Sequence, residues 1–204
     1  MKRSIIAFLC VFVSVIQPAA AQTDSEILQN KLAKVTLIDT DFIQQVFNSE
    51  GKLLQESAGK LVISRPGNFR WQVKTPEENL IISNGKTIWS YDPFIEQVTI
   101  MNFKDAVAGT AFILLSGAES TQWEKFDVKK SGNEFVVSNN TDKTNTNQFT
   151  FVFDKTDNIS QFRVVEKQGQ KSVFKLTPNT INKSLSNDFF EFKIPVGIEI
   201  DDQR

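Results

Sequence analysis

The sequence predicts an α+β fold: a single half-open, strongly curved antiparallel β-barrel or sheet, closed by an N-terminal helix and a central helical lid. Three observations predict it. Strand-like runs recur about every 8–12 residues through most of the chain, with turn residues between them. Helical spacing is confined to one N-terminal segment and one small-residue stretch near the middle. The chain also holds 18 Phe against one Tyr, and several strands carry Phe or Trp at alternate positions, hence on one sheet face. At 204 residues, 40% hydrophobic and 23% charged, the chain has the composition of a globular protein rather than a disordered or low-complexity one.

The first segment is a targeting signal. Lys2 and Arg3 precede an apolar run from Ile5 to Ile16, Pro18 breaks it, and Ala19-Ala20-Ala21 follows. A basic start, an apolar run of this length and small residues before the cut describe a cleaved signal peptide over residues 1–21, with Gln22 as the new N-terminus. The run is shorter than the roughly 20 residues a membrane-spanning helix needs. Cys10 follows Leu9 inside the run. It is not a cleavage-point cysteine after a small residue, so the chain is not expected to be a lipoprotein. Residues 22–204 then form one cysteine-free domain, and the expected location is the bacterial periplasm.

The mature chain opens with a helix from Asp24 to about Thr36, where Ile27, Leu28, Leu32 and Val35 share a face and Asp24 or Ser25 caps the start. Strands are predicted over Asp41–Asn48, Leu53–Ser64, Asn68–Lys74, Asn79–Ser83, Lys86–Tyr91 and Glu96–Phe103. Asn84-Gly85 suits a type I′ hairpin turn. The apolar, small-residue stretch Asp105–Gly117 interrupts the strand rhythm and suits a short helix or two. Further strands are predicted over Glu124–Lys130, Glu134–Asn139, Gln148–Asp154, Ser160–Lys167, Ser172–Thr177 and Phe190–Ile194. Phe69, Trp71 and Val73 share one face, as do Phe149, Phe151 and Phe153, and the opposite face reads as polar. Such a face is either an ordinary core or the wall of a hydrophobic cavity larger than two short helices fill. Arg65 ends the stripe of Leu61 and Ile63; from the pattern alone it is a solvent-exposed strand-end arginine or a rim residue holding a covering element.

Catalytic constellations are absent. With no His and one Cys, the chain cannot build Ser-His-Asp or Cys-His nucleophiles, His-ligated metal sites or an internal disulfide. Ser57-Ala58-Gly59-Lys60 matches S-x-x-K, but it runs into a strand rather than opening a helix and lacks companion motifs. Asp201 and Asp202 point to opposite sides of an extended tail. No cofactor motif occurs, and a net charge of −1 with no basic block excludes nucleic acid as a partner. Two classes stay open on the residues alone: a binding module for a lipid or a glycan, and a small hydrolase built on Asp or Glu.

Longer strings narrow this. Ser64-Arg65-Pro66-Gly67-Asn68-Phe69-Arg70-Trp71, the stretch from Ser83 to Gln97 reading SNGKTIWSYDPFIEQ, and the ending from Pro195 to Arg204 reading PVGIEIDDQR resemble the outer-membrane lipoprotein carrier (LolA) family, in the right order and over essentially the whole mature chain. The related LolB receptor branch shares the fold but consists of lipoproteins. The resemblance implies a monomeric, cofactor-free, non-enzymatic carrier. It would take acylated lipoproteins from an inner-membrane ABC transporter that releases them and hand them to LolB at the outer membrane. It further implies an acyl-chain cavity lined by Phe42, Phe69, Trp71, Trp89, Phe112, Ile113 and Leu115, and a lid latched by Arg65 through hydrogen bonds to the lid backbone.

Overall fold

A computed structural model describes residues 22–108, 110, 112–117, 120–141, 147–178 and 185–204. The expected signal peptide, residues 1–21, lies outside the described residues. The described chain starts with α1 (Asp24–Ala33) and continues through β1 (Leu37–Phe47), β2 (Leu53–Ser64), β3 (Asn68–Thr75), β4 (Asn79–Asn84), β5 (Thr87–Asp92) and β6 (Gln97–Asn102). Three short helices follow, α2 (Phe103–Ala106), α3 (Phe112–Ser116) and α4 (Ser120–Trp123). The chain then returns to strands with β7 (Phe126–Ser131), β8 (Glu134–Asn139), β9 (Gln148–Phe153), β10 (Ile159–Val165) and β11 (Lys171–Pro178), and ends with a 3₁₀ turn (Asn187–Phe190) and β12 (Glu199–Asp202).

All twelve strands form one curved sheet in the order β12-β6-β5-β4-β3-β2-β1-β11-β10-β9-β8-β7. It is antiparallel except for β12, which runs parallel to β6. β12 and β7 are its free edges, so the barrel stays open. Long strands near the middle, 11 residues in β1 and 12 in β2, let the sheet coil strongly. A register shift between Ala58 and Gly59 adds bend where β2 meets β3.

α1 is capped at Thr23, whose side chain accepts from the Glu26 N–H while the Glu26 carboxylate accepts from the Thr23 N–H. Its buried Leu28 and Leu32 face the sheet interior. Asp24 accepts the Lys130 N–H at 2.9 Å, and Lys31 pairs with Asp157, so α1 is fixed to the β7–β10 half of the sheet.

Four expectations need correction. Asn84-Gly85 does not form a type I′ turn, because only Gly85 has positive φ (+81°). Asn84 instead accepts the N–H groups of Lys86 and Thr87 with its side chain, an alternative open to Asn that needs no left-handed residue of its own. Phe190–Ile194 is not a strand. Phe190 closes the 3₁₀ turn, which packs on β3 and β4, and is buried outside the main core. The C-terminal residues, read as a tail, form β12 on the β6 edge. Finally, the convex face is not uniformly polar. Val62, Ile82, Val98 and Ile100 are buried there outside the main core, as is Phe190, and the 3₁₀ turn packs against β3 and β4.

Candidate functional site

The concave face gathers the aromatic residues. Cross-strand register places Phe42 opposite Leu176, Gln44 opposite Phe174, Phe174 opposite Phe162, and Phe162 opposite Phe151, all on the inner face. Their rings form a continuous chain. Phe42 meets Trp71 at 4.6 Å between centroids, Trp71 meets Phe174 edge-on at 5.2 Å, Phe174 meets Phe162 at 5.7 Å, and Phe162 meets Phe151 at 5.4 Å. From the lid, Phe112 stands edge-on to Phe69 at 4.9 Å. The space left at the centre is about 20 Å³, wholly apolar, and walled by Ile38, Leu61, Trp71, Phe112, Leu115, Ile159, Phe162, Phe174 and Leu176. The aromatic rings tile this part of the interior, and Phe112 and Leu115 of α3 close over them. Phe makes such packing reversible, because its ring can repack without leaving a polar group unpaired, unlike Tyr or Trp.

Arg65 sits where β2 ends and turns toward the lid. Its Nε donates to the Leu115 carbonyl at 3.0 Å, its Nη2 to the Leu114 carbonyl at 2.7 Å, and its Nη1 to the Leu32 carbonyl. One guanidinium thus ties the end of α1 to the end of α3. The carbonyls near a helix C-terminus carry the negative end of its dipole, which suits a cation. No carboxylate is among these partners, and burial pushes the guanidinium below its ordinary pKa. The next residues reinforce the contact: the Gly67 N–H donates to the Ser116 carbonyl at 2.8 Å, and Gly117 packs against the Arg65 side chain. Three consecutive lid carbonyls, at Leu114, Leu115 and Ser116, are therefore held by one turn.

Of the residues expected at the cavity, the structure brings Phe42, Phe69, Trp71, Phe112 and Leu115 together on the concave side. Trp89 lies on the other side. It pairs with Ile82 and Ile100 in the convex row, while its neighbour Ile88 faces the core. Two adjacent apolar residues, Ile88 and Trp89, leave the inward one undecided until cross-strand register is known. Ile113 touches the edge of the core but lines a separate cleft behind the lid with Gly67, Gly85 and Phe103. One helical turn aims Phe112 and Leu115 the same way and carries Ile113 aside. Phe162, Phe174, Leu176 and Ile159 line the central space without having been singled out. The alternation of Phe174 and Leu176 within one strand is the available signal, and it gives their shared face but not their depth.

The catalytic alternatives lose their geometry. Ser57 points inward, is buried and donates to the Gln44 side chain at 3.1 Å. Lys60 lies on the opposite face and pairs with Asp39 at 3.0 Å, so Ser57 and Lys60 cannot act together. Asp202 is engaged by Arg204 and held down to about 2, while Asp201 accepts from Gln203. No group of three or more His, Cys, Asp or Glu suited to a metal occurs among the described residues.

The sequence model of "Outer membrane lipoprotein carrier protein LolA" matches residues 33–193. The chain belongs to the LolA family. An outer-membrane lipoprotein carrier protein of Psychromonas ingrahamii is 48% identical over 205 residues, the full length of both chains. One of Aeromonas salmonicida is 41% identical, again over both whole chains, and one of Haemophilus influenzae is 37% identical over 100% of this chain and 99% of its own. Among solved structures, an uncharacterized conserved protein of Thermus thermophilus superposes with a TM-score of 0.56 at 13% identity, over 89% of this chain and 100% of that one. A LolA superfamily protein of Nitrosomonas europaea gives 0.51 at 8% identity, over 84% of this chain and 99% of its own. These two share the LolA-type fold. The family is a carrier family rather than a class of enzyme.

Proposed function

We propose that this chain is a periplasmic carrier that shields the acyl chains of lipoproteins, received from an inner-membrane ABC exporter and passed to the outer-membrane receptor LolB. Residues 1–21 serve as its export signal. The observation that carries the reading is the Arg65 latch: one guanidinium on three carbonyls ties α1 and α3 together beside a central space lined solely by apolar side chains. No described helix is long and apolar enough to cross a membrane.

The physics explains both the need for a carrier and its collapsed interior. Moving an acyl chain of about 15 methylenes into water costs roughly 12 kcal/mol at ~0.8 kcal/mol each. A lipoprotein with more than one chain therefore does not cross an aqueous compartment unaided. The carrier must also let go. When cargo leaves, the rings close on one another and Arg65 regains its carbonyls, so closure recovers part of the burial energy and lowers the net affinity for cargo. An interior that stayed open when empty would bind too tightly to release.

The test is release of a labelled lipoprotein from spheroplasts by purified residues 22–204. Release into the supernatant as a one-to-one complex, with displacement of a bound apolar fluorescent probe, is the expected result. A chain that binds the probe but releases no lipoprotein would leave the alternative of a module for another lipid. A chain that binds neither would overturn the reading.

A further inference from the structure

Seven large apolar side chains stand exposed among the described residues, and four of them come from two adjoining segments at one corner of the sheet: Phe94 and Ile95 in the β5–β6 turn, Val196 just before β12, and Ile200 within it. Phe94 is 88% exposed, Ile95 57% and Ile200 55%. The turn is braced rather than loose. The Asp92 carboxylate accepts the N–H groups of Phe94 at 2.9 Å and Ile95 at 3.4 Å. Glu96 closes the turn at a φ of 54°, a left-handed conformation that a residue with a Cβ adopts only when its surroundings hold it there. The holding group is β12: the Glu199 N–H donates to the Glu96 carbonyl at 2.9 Å, and Ile200 runs beside Val98. An aromatic side chain on a braced turn has little freedom left to lose on binding, and such anchors dominate the energetics of protein interfaces.

The surrounding charge says what kind of surface fits. Asp92, Glu96, Glu199, Asp201 and Asp202 lie in the turn and in β12, against Arg204, which is already paired with Asp202 at 2.6 Å. Anionic membrane surfaces attract basic segments and repel acidic ones. We propose that this corner docks a partner protein whose face carries an apolar socket rimmed by lysine or arginine. The position fits a recruiting contact. β5 begins at the Gly85 turn, which packs on Gly67 beside the latch, and ends at Asp92, so the corner is about 20 Å from the lid and a partner can hold it without blocking lid movement. The proposal rests on the carrier reading and names the surface through which the carrier meets the membrane proteins that load or unload it.

The test measures binding of residues 22–204 to the immobilised exporter and, separately, to immobilised LolB, with phosphatidylethanolamine–phosphatidylglycerol vesicles as the lipid arm. Phe94→Ser is expected to weaken binding to at least one of the two proteins about tenfold or more. The double variant Glu96→Lys, Glu199→Lys should slow association with that protein about tenfold at low salt and flatten its salt dependence. Both variants should keep the wild-type melting temperature and the wild-type affinity for an apolar probe of the interior. Unchanged binding of Phe94→Ser to both proteins overturns the proposal, as does vesicle binding that Phe94→Ser abolishes. If the wild type releases lipoprotein from spheroplasts and Phe94→Ser matches it in both binding and transfer, the proposal fails while the carrier reading stands. If the wild type releases none, the carrier reading fails with it.

Discussion

On the carrier reading, Arg65 has two opposing demands to meet: it would hold the lid shut when the interior is empty and yield when cargo enters. Three charge-assisted hydrogen bonds to the carbonyls of Leu32, Leu114 and Leu115 meet both, because carbonyl partners give a strong closed state without the permanent hold of a buried carboxylate pair. Bonds of this kind contribute about 1.5–3 kcal/mol each when shielded from water. Arg65→Leu removes them and adds apolar surface at the mouth. A net loss of only about 3 kcal/mol from the closed state shifts the open-to-closed ratio roughly hundredfold. The variant is therefore expected to load lipoprotein at least as well as the wild type and to fail in passing it on. Arg65→Lys should restore part of the transfer, since it keeps the charge but loses the planar fork. Loading and onward transfer measured as separate steps decide this: wild-type transfer by Arg65→Leu, or an inability to load, removes the latch role.

Among the elements, the β2–β3 pair sets the shape of the interior. β2 supplies Leu61 and Ile63 to the core and Arg65 to the latch, and β3 supplies Phe69 and Trp71. The pair can cross closely because residue 59 is Gly. A Cβ there would lie 2.0 Å from the Gln72 carbonyl oxygen and 2.8 Å from the Phe42 ring. The carbonyl belongs to the backbone, so the strands themselves would have to part. Gly59→Ala is expected to cost about 1–3 kcal/mol of stability, read as a lower urea midpoint with an unchanged slope. It should also loosen the Phe42–Trp71 contact, seen as a shift in tryptophan emission. An urea midpoint equal to that of the wild type would show that β3 is not held against β2 at this point.

The whole molecule has no histidine, so no side chain with an ordinary pKa changes charge between pH 6 and 8. The shifted groups move away from neutrality or stay charged there. Asp154 is lowered by hydrogen bonds from Thr156 and the backbone of Asn158, and Asp202 is held at about 2 by Arg204. Arg65, although lowered by burial, remains a guanidinium. A carboxylate whose folded pKa is depressed contributes stability above its unfolded pKa and loses it as pH falls through the folded value. For Asp202 that window lies between about 4 and about 2. The melting temperature of residues 22–204 is thus expected to stay level from pH 6 to 8, with losses beginning only below about pH 4. A melting temperature that changes by several degrees across pH 6–8 would point to a titrating group that the fold does not reveal.

The sequence by itself determined the fold class, the aromatic rows and the helical segments, because each rests on local spacing: period two in Phe149, Phe151 and Phe153, and helical spacing in Ile27, Leu28 and Leu32. For Arg65, spacing left an exposed strand end and a rim position both open, and only the family resemblance pointed to the rim. The strings around Arg65-Pro66 and Asp92-Pro93 carried the family. Tertiary structure alone decided what depends on residues far apart in the chain. Cross-strand register turned Trp89 outward and Ile88 inward, a one-residue choice that alternation within a single strand cannot make when both neighbours are apolar. Ile82, Ile100 and Phe190 are buried outside the main core, on a side that reads as polar from the neighbouring strands, and the 3₁₀ turn packs there against β3 and β4. The packing of α3 and the inward rows of the sheet left about 20 Å³ at the centre, because that space is set by side chains from six separate elements, not by any stretch of sequence that contains them.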